Sequence, residues 1–398
     1  MELPLSGLKV LDLSRVLSGP FCTMMLADHG AEVLKVENPQ GGDDTRQFGP
    51  PFIRGESAYF LSINRNKKSM TLNLKHEKAR ELLWRLVERA EVVVENFRPG
   101  TMERWGFDWE SLHTKNPRLI YASISGFGQT GPDTAKPGYD VIIQGMAGTQ
   151  SLTGPPEGPP YKMGTSIADI VAGIYCFCGI LLALQQRERT GEGQRVDLSM
   201  LDSMVSLLTY QAGRYFATGE NPRAMGNQHP TIAPYEAFET KDGFINLAVA
   251  NDSLWKIFCE TLRHPEWIEK AEWVHNPDRV KNRQSLIEVL TPILRGRTAQ
   301  QWTDLLSRAG IPCGPINTVD AVLREPQVLA REMVREVVHS VAGKIKVTGN
   351  PIKLSTMRGT ERDWTPPPML GEHTELALRE WAGLSAEEVA ALRAQGVV

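Results

Sequence analysis

Short apolar runs alternate with stretches whose apolar positions recur every three or four residues through the first half of the chain. Leu8–Leu13, Ala31–Glu37, Ser69–Leu74, Glu91–Glu95 and Arg118–Ser125 read as strands. Pro20 suits the opening of a helix over Phe21–His29, and Gly30 ends it. Strand, helix and strand make a βαβ unit, which predicts a parallel sheet with a right-handed crossover. His76–Ala90 carries Ala79, Leu82, Leu83, Leu86 and Val87 on one helical face. The fold class this implies is α/β, with a doubly wound Rossmann-like large domain. In such a sheet ligands sit beyond the carboxyl ends of the strands, so the loop Ser14–Pro20 is a candidate site loop. It carries no GxGxxG, and a dinucleotide reading has no support.

From Gly164 to Ser203 the pattern changes. Asp169 stands before a long run of apolar and small residues with no further charge until Arg187. Ser166 is the expected N-cap and Asp169 falls three residues later, where a capping box wants an acid facing the helix dipole. The structural reading is therefore a capping carboxylate on a buried helix. Ala172, Gly173, Gly179 and Ala183 would let another backbone approach closely. The run is about 18 residues, near the lower limit for a membrane span. The acid at its front and the lack of a basic flank predict a core helix instead. The turn ERTGEGQ, a strand over Gln194–Leu198 and a helix over Ser199–Phe216 follow.

Thr218–Pro234 is polar with Gly and Pro and reads as a linker. Tyr235–Thr240 and Phe244–Val249, joined by KDG, predict a hairpin. Helices are expected near 252–263, 279–295 and 298–309, then strands at Val334–His339 and Lys344–Val347 and closing helices. The expected organisation is 1–217 for the first part of the large domain, 218–325 for a linker and small α+β domain, and 326–398 for the return.

Composition narrows the partners. The 398 residues are 41% hydrophobic and 23% charged, ordinary for a soluble globular protein, and the net charge of −3 argues against nucleic acid. Five cysteines without CxxC or Cys/His spacing read as reduced thiols in a cytoplasmic protein. The start MELPLSGLKV has no secretory pattern. The histidines are scattered without ligand spacing, so no metal site is expected. Several stretches suit a phosphate- and adenine-bearing ligand. NRNKK at 64–68 is either a solvated turn or a face for phosphates. In NFRPG, Phe97 and Arg98 suit stacking on adenine and contact with phosphate. GFGQTGP is either a phosphate cradle or a tight turn.

These stretches, in this order, carry a resemblance. LKVLDLSRVLSGP, AEVLKVE, NRNKKSMTLNL, ENFRPGTMERWGF, ISGFGQTGP, KPGYDVIIQGMAG, GTSIADIVAG, LLALQQRERTGEGQRVDLSMLD, AGIPCGPINTV and PPPMLGEHT together resemble the class III coenzyme A transferases. This is the formyl-CoA transferase or CaiB/BaiF type. The resemblance implies an interlocked-ring homodimer of the two-domain fold, with no membrane partner and no tightly bound cofactor. Acyl-CoA and small carboxylic acids would be the substrates. It implies Asp169 as nucleophile. It implies Val16, Leu72, Asn73, Lys75, Asn96, Phe97, Arg98, Arg104, Lys136 and Tyr139 as the coenzyme A site. A carboxylate nucleophile keeps the thioester energy in covalent form, through a mixed anhydride and an aspartyl-CoA thioester, without ATP.

Departures from the formyl/oxalate enzymes bear on the acid. Leu17 stands where they have Gln and Phe48 where they can have Trp. Leu247–Trp255 lacks their run of glycines. The C-terminal half resembles succinyl-CoA-dependent dicarboxylate transferases, which implies a dicarboxylic or hydroxy-dicarboxylic acid with succinyl-CoA as donor. Arg15, Arg46 and Arg65 are the candidates for holding its distal carboxylate. The alternatives are formyl-CoA:oxalate transfer, intramolecular transfer, 2-methylacyl-CoA racemisation and non-catalytic CoA binding. The racemases of the same superfamily use a His before an Asp, where this chain has Tyr139–Asp140, and Tyr is a poor base near neutrality.

Overall fold

The computed structural model describes residues 3–355 and 364–398. They divide into two compact units, one of residues 1–150, 162–219 and 327–398, the other of 151–161 and 220–326.

The first unit is built on six parallel strands, β1 (Lys9–Asp12), β2 (Glu32–Glu37), β3 (Lys67–Thr71), β4 (Val92–Glu95), β5 (Ile120–Ser125) and β6 (Arg195–Ser199). Their spatial order is β3-β2-β1-β4-β5-β6. The order reverses between β1 and β4, which is the doubly wound arrangement, and the crevice for a ligand opens at that switch point. Alternation along the strands feeds two cores. Leu11, Leu34, Met70 and Val93 face α2 (Glu77–Arg89), while Val10, Val33, Val92 and Val94 face α1 (Ser18–Asp28). The α2 stripe is buried through Ala79, Leu82, Leu83, Leu86 and Val87, the five positions its periodicity marks. The chain's end returns to the β3 edge. The Asn73 amide donates to the Val397 carbonyl at 2.8 Å and the Thr71 amide to Thr374 Oγ1 at 3.0 Å.

On the α1 side, α3 (Asp140–Met146) and α4 (Ile167–Thr190) complete the layer. By length and composition the 24-residue α4 is apolar enough to cross a membrane. Here it packs through Ala172, Gly173, Cys176, Phe177, Ile180 and Ala183 into the core. Gly173 sits against α1, where a Cβ would come within 2.6 Å of the Ser18 carbonyl oxygen. The predicted helix over Ser199–Phe216 is in fact two, Met200–Ser206 and Thr209–Thr218. The chain turns at Thr209, whose φ is +39°, with no Gly or Pro to mark the break.

The second unit pairs β7 (Tyr235–Glu239) with β8 (Phe244–Ala248) as the predicted hairpin, and β9 (Cys313–Pro315) lies on the other side of β8. Three helices, Asp252–Leu262, Arg283–Leu294 and Ala299–Arg308, bury Trp255, Phe258, Leu286, Leu290, Trp302 and Leu306 against that sheet.

Candidate active site

The loop between β1 and α1 is held at nearly every residue. The Asp12 carboxylate, at the end of β1, accepts from the Ser14 amide at 3.0 Å, from the Ser14 hydroxyl, and from Thr23 Oγ1 at 2.6 Å. Lys67, the first residue of β3, reaches Asp12 at 3.2 Å, the Pro20 carbonyl at 2.9 Å and Asn64 Oδ1 at 2.9 Å. Lys35 donates to the Ser14 carbonyl at 2.8 Å and pairs with Asp43 at 2.8 Å. Asp43 in turn accepts from the Val16 amide at 3.2 Å. That contact restrains a β-branched residue at φ +66°, a backbone region that costs free energy and persists only where its surroundings enforce it.

The charges in this cluster are fixed by pairing. Burial pushes Asp12 up, but Lys67 and Lys35 outweigh it and hold it below the ordinary carboxylate range. Burial likewise opposes ionisation of Asp43, and Lys35 brings it down to about 2. The Lys67 ammonium is lowered by burial to about 8, with Asp12 opposing. The run at 64–68 is therefore neither a solvated turn nor a face for phosphates. Arg65 makes a two-point pair with Asp28 at 3.0 and 2.6 Å, Lys67 serves Asp12, and Lys68 pairs with Glu32 at 2.8 Å. The signal was hidden because each partner lies some tens of residues away in sequence.

At the carboxyl ends of β1, β2 and β4 lies a cavity of ≈440 Å³. Of the ten predicted coenzyme A residues, it is lined by Leu72, Asn73, Lys75, Phe97 and Arg98, beside Arg15 and Trp105. Arg104 packs at its border, donating to Thr101 Oγ1 at 2.8 Å. Val16 and Asn96 belong to the wall behind it. Asn96 Oδ1 accepts from the Arg15 amide at 2.8 Å, and its Nδ2 donates to the Arg15 carbonyl at 2.7 Å and to Ser18 Oγ at 3.3 Å. Asn96 is thus a strut for the loop, with its amide protons already engaged. Lys136 and Tyr139 stand away from this cavity. Lys136 pairs with Asp133 at 2.7 Å, and the Tyr139 ring is 72% exposed at the start of α3. Beneath Phe97, the buried Glu95 accepts from the Phe97 amide at 2.7 Å and from Tyr121 at 3.2 Å, and also from Ser123. No cation offsets its burial, and its carboxyl is pushed up to about 7.

Asp169 lies in the first turn of α4, but it does not cap the helix in the expected way. Ser166 makes no capping hydrogen bond. The acceptor is Asp140 on α3, whose Oδ1 takes the Ala168 amide at 2.9 Å while Oδ2 takes Gln144 Nε2 at 2.7 Å. A cap supplied from another helix leaves the Asp169 carboxyl free for chemistry. Burial and the nearby Asp140 charge push that carboxyl up to about 7, and a hydrogen bond from Ser18 opposes them. Tyr59, pushed up to about 12 by burial and then by Asp169, stays a neutral phenol beside it. Leu17, Val16, Tyr59 and Ile170 form a common apolar cluster.

The three candidate arginines separate. Arg46 is committed to Glu37 through two bonds of 2.7 and 2.8 Å, and Arg65 to Asp28. Arg15 is half-exposed, meets Asp44 only at 3.4 Å, and lies 5.8 Å over the Phe97 ring. The glycines of GFGQTGP serve close packing at least at one point: a Cβ on Gly126 would fall 2.8 Å from the Gly138 Cα. The Gln129 amide there is held by the Asp197 carboxylate at 3.1 Å.

The family described as CoA-transferase family III matches residues 5–374. The chain is 40% identical to succinyl-CoA:glutarate CoA-transferase of Mus musculus, over 99% of this chain and 90% of that one. It is 43% identical to acetyl-CoA:oxalate CoA-transferase of Acetobacter aceti, over 88% and 89%. A solved CaiB/BaiF family protein from Brucella suis superposes with a TM-score of 0.86 at 41% identity, covering 96% of this chain and all of that one.

Proposed function

The chain belongs to CoA-transferase family III and is an enzyme that transfers coenzyme A, and from that premise we propose that it moves CoA from succinyl-CoA to a dicarboxylic acid through Asp169. The observation that carries the reading is the Asp169 carboxyl itself. It lies in a mostly apolar surround, relieved of capping by Asp140, with no cation among the described residues holding it in a structural pair.

The Asp169 carboxylate attacks the succinyl-CoA carbonyl. The C–S bond breaks, CoA leaves as thiolate, and residue 169 becomes a mixed anhydride. The thiolate then attacks the aspartyl carbonyl, releasing succinate and leaving an aspartyl-CoA thioester. The acceptor carboxylate displaces the thiolate to form a second anhydride, and the thiolate attacks its acyl carbonyl. Acceptor-CoA departs and Asp169 is regenerated. Each bond broken is replaced by one of similar energy, so no ATP enters. A weak nucleophile makes this work through placement and exclusion of water.

In this reading the nucleotide end of CoA takes the ≈440 Å³ cavity, supported by Phe97 and Trp105 as aromatic neighbours for adenine and by Lys75 and Arg98 as cations for its phosphates. Arg15 is the one of the three arginines not committed to a buried or two-point pair, which supports it as the candidate for holding a distal carboxylate. The relatives' acceptors, glutarate and oxalate, are both dicarboxylates. A homodimer belongs to the same reading. The helix Thr209–Thr218 buries none of its own residues and exposes Tyr210, Tyr215 and Phe216, apolar surface that a second copy would cover.

The test is incubation with succinyl-CoA without acceptor, then hydroxylamine and peptide mass mapping. A hydroxamate on the peptide containing Asp169 is expected. Its absence with every acyl-CoA tried, beside measurable CoA transfer, rejects the covalent route.

A further inference from the structure

We propose that Ser18 is a catalytic residue of this site, its hydroxyl donating to the Asp169 carboxyl oxygen that becomes the oxyanion when CoA thiolate attacks. The inference rests on Asp169 being the nucleophile.

The argument begins with packing. Ser18 is the first residue of α1 and is only 3% exposed. Gly173 lets α4 approach until a Cβ there would nearly touch the Ser18 carbonyl oxygen. Asp169 lies four residues before Gly173, one turn along the same helical face. The approach that Gly173 permits therefore brings the Asp169 carboxyl toward Ser18, whose hydroxyl favours the ionised carboxyl.

Proton direction follows from Asn96. Its Oδ1 accepts from the Arg15 amide, so its orientation is set, and its Nδ2 must donate to the Arg15 carbonyl and to Ser18 Oγ. Ser18 Oγ therefore accepts from Asn96. A hydroxyl has a single proton, and that of Ser18, not spent on Asn96, remains for the Asp169 carboxyl. The loop that carries Ser18 is pinned by Asp12, Lys35, Asp43 and Lys67, so the hydroxyl is held in place before substrate arrives.

Two consequences follow for the reaction. In the first step one carboxyl oxygen is tied by Ser18 and the other is left to attack. The attacking oxygen becomes the anhydride bridge, and the tied oxygen becomes the aspartyl carbonyl. When thiolate adds to that carbonyl, the C=O electron pair moves onto the oxygen facing Ser18, where a fixed donor is worth most. The C–O bridge then breaks, the acid leaves as carboxylate, and the pair returns. The same bond also favours ionised Asp169 against burial and Asp140, so it acts on the fraction of active nucleophile.

The experiment compares wild type, Ser18→Ala and Ser18→Thr as full-length enzyme with succinyl-CoA and glutarate, after the hydroxamate has been mapped in wild type. For Ser18→Ala we expect kcat to fall about 10- to 100-fold, with KM for succinyl-CoA within about threefold. The acid limb of kcat/KM should move up by roughly half a pH unit or more, because the group that favoured ionisation is gone. Ser18→Thr, which keeps the hydroxyl, should recover most of the rate. An unchanged kcat and unchanged pH limb in Ser18→Ala overturn the proposal, and so does a Ser18→Thr as slow as Ser18→Ala. A wild type that transfers CoA but never labels Asp169 overturns the covalent reading first and Ser18's role with it. Labelling in wild type with an indifferent Ser18→Ala overturns Ser18 alone.

Discussion

Among the acids of the first unit that burial acts on, two pairs contrast. Asp12 and Asp43 sit among Lys35 and Lys67, and both are held below the ordinary carboxylate range. Glu95 and Asp169 meet hydroxyls, backbone amides or another acid but no cation among the described residues, and both are pushed up to about 7. Burial opposes ionisation in all four, so the counter-ion decides. The first pair builds the loop. The second pair can change charge near neutrality, and one of its members stands where the chemistry is proposed. A buried acid without its cation is a candidate for a functional position, because a purely structural acid would gain from acquiring one.

The contrast is tested most severely at Asp169. Asp169→Asn should lower CoA transfer by roughly 10⁴-fold or more, as loss of a covalent nucleophile does. The same change should leave the fold intact and raise Tm more at pH 8 than at pH 5. The folded pKa of Asp169 lies above its unfolded value. The ionised form therefore costs stability as pH rises from the unfolded pKa toward 7, and Asn escapes that cost. A Tm that falls equally at both pH values would place Asp169 with the structural pair.

Lys67→Met tests the other side. It strands the Asp12 carboxylate in a site from which water is excluded, and should cost about 3–5 kcal/mol in urea unfolding with an unchanged m-value. Replacing Asp12 by Leu in the same chain should restore part of that loss, since a missing pair is less costly than a broken one. A single variant as stable as wild type would mean that the ion pair does not set the loop's geometry.

How far the residues announced these roles differs between the pairs. The apolar runs predicted the strands of the parallel sheet closely, since each strand is local and the central ones are buried on both faces. The loop Ser14–Pro20 was identified from its place after the first strand, and Asp169 from a resemblance of motifs. Asp12 carries no such mark. It reads as the last residue of an apolar run, and its partner Lys67 lies in a charge cluster 55 residues on. Asp140 was noticed only as the neighbour of Tyr139, yet it replaces Ser166 as the cap of α4. Asn96 was read as a ligand contact, and its bonds to Arg15 and Ser18 show a further role as a strut. In each case the missing information is a long-range side-chain bond, which periodicity does not encode.

Asp140 also separates charge from burial as causes within the raised pair. Asp140→Asn keeps an oxygen for the Ala168 amide and removes the negative charge near Asp169. The nucleophile must be ionised, so wild-type kcat/KM should fall as pH drops below about 7. In Asp140→Asn that acid limb should move down by about one pH unit, measured with saturating acceptor. An unmoved limb would leave burial as the whole cause.

Glu95 gives the smallest effect and the cleanest control, because it is raised like Asp169 yet has no reacting group in reach. Its carboxyl holds the Phe97 amide from inside the core, and Glu95→Gln keeps an acceptor of the same shape there. The folded pKa is above the unfolded one, so Glu95 costs stability as pH climbs from its unfolded pKa to about 7. The Gln variant should therefore gain on wild type between pH 6 and pH 8 in paired thermal melts. Its kcat with succinyl-CoA should stay within about threefold, since the residue's bonds go to Phe97, Tyr121 and Ser123 within the protein. A large fall in kcat would join Glu95 to the reaction itself, and absence of a cation would then mark both members of the pair as catalytic.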